Sequence, residues 1–532
     1  MRNLSKVLLF IFICFISISS IKVSADDRQD KIVTLKENSS SVELQTLLDY
    51  NKYNDYNLTI QIPPGNYYLY KELRIYSNTT IIADSDTKLI KNHERGAMIT
   101  NDLSNDKGGY TTSSNITIIG GIWDSSKATK GTESFRFIHA SNITIQNATI
   151  CNVPEGSKLI LLAGVKNGKV DGCTLFGYKG TWQKEAIQLD IVHDEVLVPT
   201  MQSKELHYDD LACDGITITN NEIYDYPRAI GSHTSVKGVF HKNITITGNN
   251  LHDIDEAAIK AYNYVNVLIR NNTITNTSVG VLFYTYINDS EAHYLVSLPE
   301  TTQEKLPEDY NIVIEGNTIQ NIHQYNTGTS FIWGDGIRIM GNKDRPVLGV
   351  SIKKNKITDA KRMGIYISNA PESYIESNMI TKTAQHGIYV DKSYHCKVYN
   401  NKLYRPGKTG STYGGIGISS SDKSVVTKNL VKYAAKNGIF LYNSSINCSI
   451  STNTIIESSD NGISVNLNSN KTKISYNTIT GKPNSKLNNR GIFVYGANYA
   501  TISYNKITDC RPKQEINKNN SVGSKVYNNK IY

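Results

Sequence analysis

The 532-residue sequence predicts an all-β chain, a single-stranded right-handed parallel β-helix with an N-terminal capping helix. Two repeating patterns predict it. The first is Gly-Ile-x-[Ile/Val/Leu], seen at Gly336-Ile337-Arg338-Ile339, Gly364-Ile365-Tyr366-Ile367 and Gly387-Ile388-Tyr389-Val390, and again from Gly415, Gly438, Gly462 and Gly491. Its successive spacings are 28, 23, 28, 23, 24 and 29 residues. The second pattern is a β-rich triplet followed by Asn, as in Ile216-Thr217-Ile218 before Asn220-Asn221 and Ile244-Thr245-Ile246 before Asn249-Asn250. Each unit holds three short alternating strands that cannot bury a core alone, so stacking the units buries the inward Ile and Val. A 3.6-residue period is missing, which excludes helical repeats. The unit is also too short for a propeller blade, which needs about 40–50 residues. Asn at the corner tolerates left-handed backbone and can hydrogen-bond its counterpart in the next coil.

The elements follow in order. Arg2 and Lys6, the apolar run from Val7 to Ile18 and the small residues Val23-Ser24-Ala25 have the layout of a secretory signal over residues 1–25. The run is too short to span a bilayer, so no membrane insertion is expected after cleavage. Residues 26–110 are read as the cap and entry coils. Ser40-x-x-Glu43 is a capping box, and Leu44, Leu47 and Leu48 form the apolar stripe of the helix behind it. Residues 111–532 form the β-helix proper, with insertions at 191–213 and 285–310 that break the repeat and are expected on one face as loops. Six cysteines remain beyond the signal (Cys151, Cys173, Cys213, Cys396, Cys448 and Cys510), and their wide spacing suits buried coil positions better than a disulfide framework.

The capping helix, the segment Ile60-Gln61-Ile62-Pro63-Pro64-Gly65-Asn66-Tyr67-Tyr68, and Asn115-Ile116-Thr117-Ile118-Ile119-Gly120-Gly121-Ile122-Trp123-Asp124 together resemble the entry coils of the pectate lyase-like superfamily. That group contains polysaccharide lyases, uronan epimerases, polygalacturonase-type hydrolases and phage tailspikes. The resemblance implies a secreted, carbohydrate-active protein, with surface association left open, but fold alone does not fix the chemistry. The formal charge is +9, and +6 remains once Arg2, Lys6 and Lys22 leave with the signal. This mild excess suits an acidic partner. Lys and Arg are scattered, without a basic run or a reading motif, which argues against nucleic acid. The sequence leaves the oligomeric state open.

Aligning the Gly-Ile windows yields candidate site residues. In six-residue windows the third and fifth positions face inward, and the fourth and sixth face out. The windows beginning at Glu185, Arg228, Ala257 and Val279 then place Asp190, His233, Tyr262 and Tyr284 in one outward column. Gln188, Lys260 and Arg338 fall in the column beside it, followed by Tyr366. The 191–213 insertion carries Asp209 and Asp210, and together with the 285–310 insertion it is expected to wall a cleft above this patch.

Three chemistries fit. In a lyase or C5-epimerase acting on a uronate glycan, Lys260 or Arg338 neutralises the carboxylate, His233 takes the C5 proton and Tyr262 protonates the leaving oxygen. In a glycoside hydrolase, Asp190 works with Asp209 or Asp210. In a binding or adhesion module, stacked Tyr residues hold sugar rings. Gln188, Tyr284, Tyr366, Asp209 and Asp210 are read as substrate contacts. The polygalacturonase-type pattern of Asn-Thr-Asp, Asp-Asp, Gly-His-Gly and Arg-Ile-Lys is met only at Asp209-Asp210; Leu189-Asp190, Ser232-His233 and Arg338-Ile339-Met340 depart from it. No cofactor is required. Ca²⁺ on Asp209, Asp210 and Asp214 is the one metal considered, and the histidines lack zinc spacing.

Overall fold

The computed structural model describes residues 28–182, 184–202, 204–232, 235–285, 306–325, 334–408, 412–483 and 488–532. The predicted signal, His233 and most of the 285–310 insertion lie outside these residues. Among the described residues, 46 strands form one continuous right-handed parallel β-helix, and all the paired strands run parallel. Each coil contributes three strands, and each strand generally pairs with its counterparts one coil before and one coil after.

Three faces result. Strands such as Ala140–Gln146, Lys166–Asp171 and Tyr264–Arg270 form the first face. Thr149–Pro154, Thr174–Lys179 and Thr318–Ile322 belong to the second. Lys158–Ala163, Glu185–Asp190, Asp335–Met340 and the later Gly-Ile strands form the third. Inward residues stack coil on coil: on the third face Ile160, Ile187, Ile230, Ile259, Val281, Ile337 and Ile365 lie in register and are fully buried. At 20–33 cal/mol per Å² of apolar surface, each such side chain contributes about 1.5–3 kcal/mol.

The glycine of the Gly-Ile motif has a packing cause. A Cβ on Gly336 would stand 2.6 Å from both the Gly364 carbonyl oxygen and the Ile357 side chain, and one on Gly364 would meet Gly387 and Ile380 in the same way. Only a bare Cα lets the coil turn this tightly onto the third face.

The repeated Asn divides its two expected tasks between neighbouring positions. Asn221, Asn249, Asn272, Asn317, Asn355, Asn378, Asn401, Asn429, Asn453, Asn477, Asn505 and Asn529 form a ladder, each Nδ2 donating to the next Oδ1 at 2.8–3.0 Å. The left-handed backbone falls on the residue before each rung, including Asn220 (φ 54), Gly248 (φ 68), Asn271 (φ 54) and Asn400 (φ 55). The turn thus aims the following amide inward, where its hydrogen bonds are shielded from water.

The capping helix is Ser41–Leu48, with Glu43 accepting from the Ser40 backbone N–H at 2.6 Å. Leu44 and Leu48 enter the core and Leu47 packs against it, so the stripe read from sequence covers the first coil. The six cysteines are free; five are buried and Cys510 is half-buried. No described helix is long and apolar enough to cross a membrane.

Candidate functional site

The third face carries three outward columns, fixed by strand register. One runs Arg74, Thr100, Arg136, Leu161, Gln188, Gly231, Lys260, Leu282, Arg338, Tyr366, Tyr389. The next includes Ala163 and Asp190, then Tyr262, Tyr284, Met340, Ser368 and Asp391. Gln188, Lys260, Arg338 and Tyr366 therefore share one column and Tyr262 and Tyr284 another, while His233 lies outside the described residues. The aligned residues are far less exposed than an outward position suggests, however: Gln188, Asp190, Lys260, Tyr262 and Arg338 are each 7 % exposed or less.

A third column, at the first position of each window, explains much of the electrostatics. Arg228 donates to Glu185 at 3.0 Å and, from Nη2, to Glu256 at 2.7 Å. Burial alone would lower its proton affinity, but the two carboxylates outweigh that and raise it. Further along, Asp335 is fully buried and pairs with Arg338 at 2.7 Å and with Arg362 at 3.5 Å. The charge of Arg338, expected to be free for a substrate carboxylate, is thus already matched. Its guanidinium lies 4.6 Å over the Tyr366 ring, and Tyr366 stacks on Tyr389 at 5.5 Å.

Lys260 differs. Among the described residues its Nζ makes no hydrogen bond or ion pair, and it sits 5.7 Å from the centre of the Tyr284 ring. Burial and the nearby Arg228 charge push its pKa down to about 8. The preceding position in its column is Gly231, where a Cβ would stand 2.3 Å from the Lys260 carbonyl oxygen, so the two coils are in close backbone contact there. One coil further back in the same column, the fully buried Gln188 donates to Asp190 at 2.5 Å and leaves its own Oε1 without a partner among the described residues. A buried lysine and a buried carbonyl oxygen, neither with a hydrogen-bond partner, thus lie two coils apart in one column. Such groups are costly unless something satisfies them.

Tyr262 and Tyr284 stack on each other with ring centres 4.1 Å apart and planes 16° from parallel. Each spends one ring face on the other. The later columns are richer than the sequence suggested: Tyr442 donates to the Tyr389 hydroxyl at 2.7 Å across the coil of Gly417. A Cβ on Gly417 would press on the Tyr389 and His386 rings, which is why that position is bare.

The 191–213 insertion does not wall this patch. Val192, Leu197, Val198 and Leu206 pack on Leu103, Ile138 and Ala163, toward the N-terminal end of the face. Asp209 accepts from His139 at 3.0 Å and from the Gly109 N–H at 2.8 Å, while Asp210 pairs with His193. On its other nitrogen the fully buried His139 meets Asp106 at 2.8 Å. Asp209 and Asp210 therefore fasten the insertion. Asp214 accepts instead from Asn243 at 2.6 Å, and among the described residues no group of three His, Cys, Asp or Glu converges as a metal site. The expected Ca²⁺ cluster does not form there.

Sequence reasoning missed Glu185, Arg228, Glu256 and Asp335. Three of these occupy first window positions that were visible but unassigned. Glu256 sits at a bulge with Asp255, between Ile254 and Ala257, where a fixed window loses register. The bulge turns Glu256 to Arg228 and leaves Asp255 on a corner groove of about 590 Å³ lined also by Asp225, Asp253, Asn276, Asn321 and His323.

A family profile described as "Right handed beta helix region" matches residues 211–343 and 308–479, just over half of the chain. No curated protein matches the chain. Among solved structures, the chain is similar to PfbA, a surface adhesin of Streptococcus pneumoniae, at 15 % identity over 91 % of this chain and 89 % of that one, with a TM-score of 0.38. The N-terminal fragment of bacteriophage Phi29 gene product 12 aligns at 10 % identity over 92 % and 91 %, TM-score 0.44. The A-module of Azotobacter vinelandii mannuronan C-5 epimerase AlgE6 aligns at 10 % identity over 92 % and 93 %, TM-score 0.28. The chain belongs to the right-handed β-helix family.

Proposed function

We propose that the third face acts on an acidic, uronate-containing glycan, as a secreted polysaccharide lyase or C5-epimerase. The observation that carries this reading is Lys260, a buried cation that has no hydrogen bond or ion pair among the described residues. A uronate carboxylate docked on the face beside Lys260 supplies the missing counter-charge, and the unpaired Gln188 Oε1 in the same column accepts from a sugar hydroxyl. Neutralising the carboxylate makes the C5 proton removable, because charge moves onto that group as the C–H bond breaks. His233, assigned by its place in the sequence, takes the proton. In a lyase the C–H electron pair forms the C4–C5 double bond, the C4–O bond breaks, and Tyr262 protonates the leaving oxygen. In an epimerase the same intermediate is reprotonated from the opposite side.

Replacing the cation tests this. Lys260→Met is expected to lower kcat/KM on a uronate polymer by about 10²–10³-fold, the scale of losing one transition-state charge contact. Circular dichroism should be unchanged. Full activity in that variant would remove Lys260 from the mechanism.

A second reading, glycoside hydrolysis, is favoured by the corner groove. Burial, with help from the Asp225 charge, raises the proton affinity of Asp255, and a carboxyl so shifted near a second carboxylate has the character of a glycosidase's general acid. It predicts new reducing ends without an unsaturated product.

A further inference from the structure

A second pocket, of about 580 Å³, lies at the N-terminal end of the third face, lined by Tyr70, Lys71, Glu72, Arg74, His93, Glu94, Arg95 and Met201. Among the described residues Lys71 and Arg95 have no ion pair. The carboxylates beside them are otherwise engaged: Glu72 accepts from the Ala97 N–H at 2.6 Å and meets Arg136 at 3.6 Å, and Glu94 accepts from Thr129 at 2.6 Å. Arg74 stands 3.6 Å from Asp102. Two groups nearby lack hydrogen-bond partners. Nε2 of His93 is buried without one, and Arg136, 3 % exposed beneath Glu72, has neither Nε nor Nη1 hydrogen-bonded. Burial and the charge of Lys91 hold His93 below its usual proton affinity, so the ring is neutral and able to bond a hydroxyl.

Register ties this pocket to Lys260. Arg74 and Arg136 lie in the same outward column as Gln188 and Lys260. Six strand spacings separate Arg74 from Lys260, roughly 29 Å. A disaccharide cannot bridge that span, whereas an acidic chain of several sugars can.

We propose that this pocket is a second anion-binding subsite, with Lys71 and Arg95 gripping the carboxylate of a uronate residue in the same polymer that Lys260 engages. The proposal rests on the acidic-glycan reading of Lys260. It makes the protein a reader of long chains, since a ligand held at both points gains from the high effective concentration of its second group.

The test is calorimetric titration of the whole protein with hexuronate oligomers of two and eight residues, drawn from mannuronate and galacturonate. The octamer is expected to bind at least tenfold more tightly than the dimer. Lys71→Ala/Arg95→Ala is expected to bring the octamer down to the dimer's affinity, and Lys260→Met to weaken both lengths. Both cations are exposed, so the double variant should keep the wild-type melting temperature. An octamer advantage that survives the double variant overturns the subsite and leaves the Lys260 reading standing. No binding of either length by the wild type overturns the Lys260 reading, and the subsite with it.

Discussion

A lysine that has left water without meeting a carboxylate holds its proton weakly, and Lys260 is in that position. Its pKa of about 8 leaves it charged below that pH and neutral above it. If the charge is what binds the uronate, kcat/KM should fall as pH rises through about 8, since that parameter reports the free enzyme. A basic limb that is absent, or that persists in Lys260→Met, would assign the titration elsewhere. Lys260 was legible in the sequence because strict alternation along Ala257-Ala258-Ile259-Lys260 forces it outward. What set it apart from Arg338 was also there to be read: Asp335, three residues before Arg338, pairs with it, and the matching position before Lys260 is Ala257. What was not legible is the company that other coils bring, Gly231 beside Lys260 and Glu256 beside Arg228, because register between coils is not written in the sequence of one coil.

Among the elements, the 191–213 insertion shows how a loop is committed. Its apolar residues cover Ile138 and Ala163, and His139 between Asp106 and Asp209 pins it. Burial opposes charging His139, but the two carboxylates prevail and raise its proton affinity; Asp106 is lowered to about 2, burial opposing and the His139, Thr112 and His207 hydrogen bonds prevailing. The signs follow. A raised histidine pKa adds stability at low pH that disappears as pH rises through the folded value. A depressed carboxylate adds stability that disappears as pH falls toward 2. Proteolysis within 191–213 should therefore accelerate as pH rises past the elevated His139 pKa, and His139→Gln should cleave quickly at both ends of that range. Cleavage that is independent of pH in the wild type would contradict the clasp. The insertion's existence was plain from the broken spacing, yet its direction was not, because a break in a repeat does not say which neighbouring coil the loop leans on. The bulge at Asp255-Glu256 escaped for a related reason: a single added residue preserves composition and shifts only register.

At the scale of the whole molecule, the coils behave as a one-dimensional stack in which local losses are felt locally. The Asn ladder is the clearest case. Asn355→Ala removes the acceptor for Asn317 and the donor to Ile314 and Asn378. Each buried group left unpaired costs about 1–3 kcal/mol. Denaturant unfolding should show that loss, and a change under about 0.5 kcal/mol would mean that the rungs contribute little. The fold was legible because each coil repeats the same alternation and the same corner, so a single rule read many times is hard to misread. The site was only partly legible because it is where that rule is broken, by Gly231, the bulge and the insertion.

The central claim is that the third face removes the C5 proton of a uronate residue. The most direct measurement incubates the purified protein with uronate polymers in deuterated buffer and follows the C5 signal by NMR. The account predicts exchange or loss of that signal, with an unsaturated residue appearing if the protein is a lyase and inverted residues if it is an epimerase. New reducing ends with the C5 proton untouched would contradict it and move the chemistry to Asp255 and the corner groove.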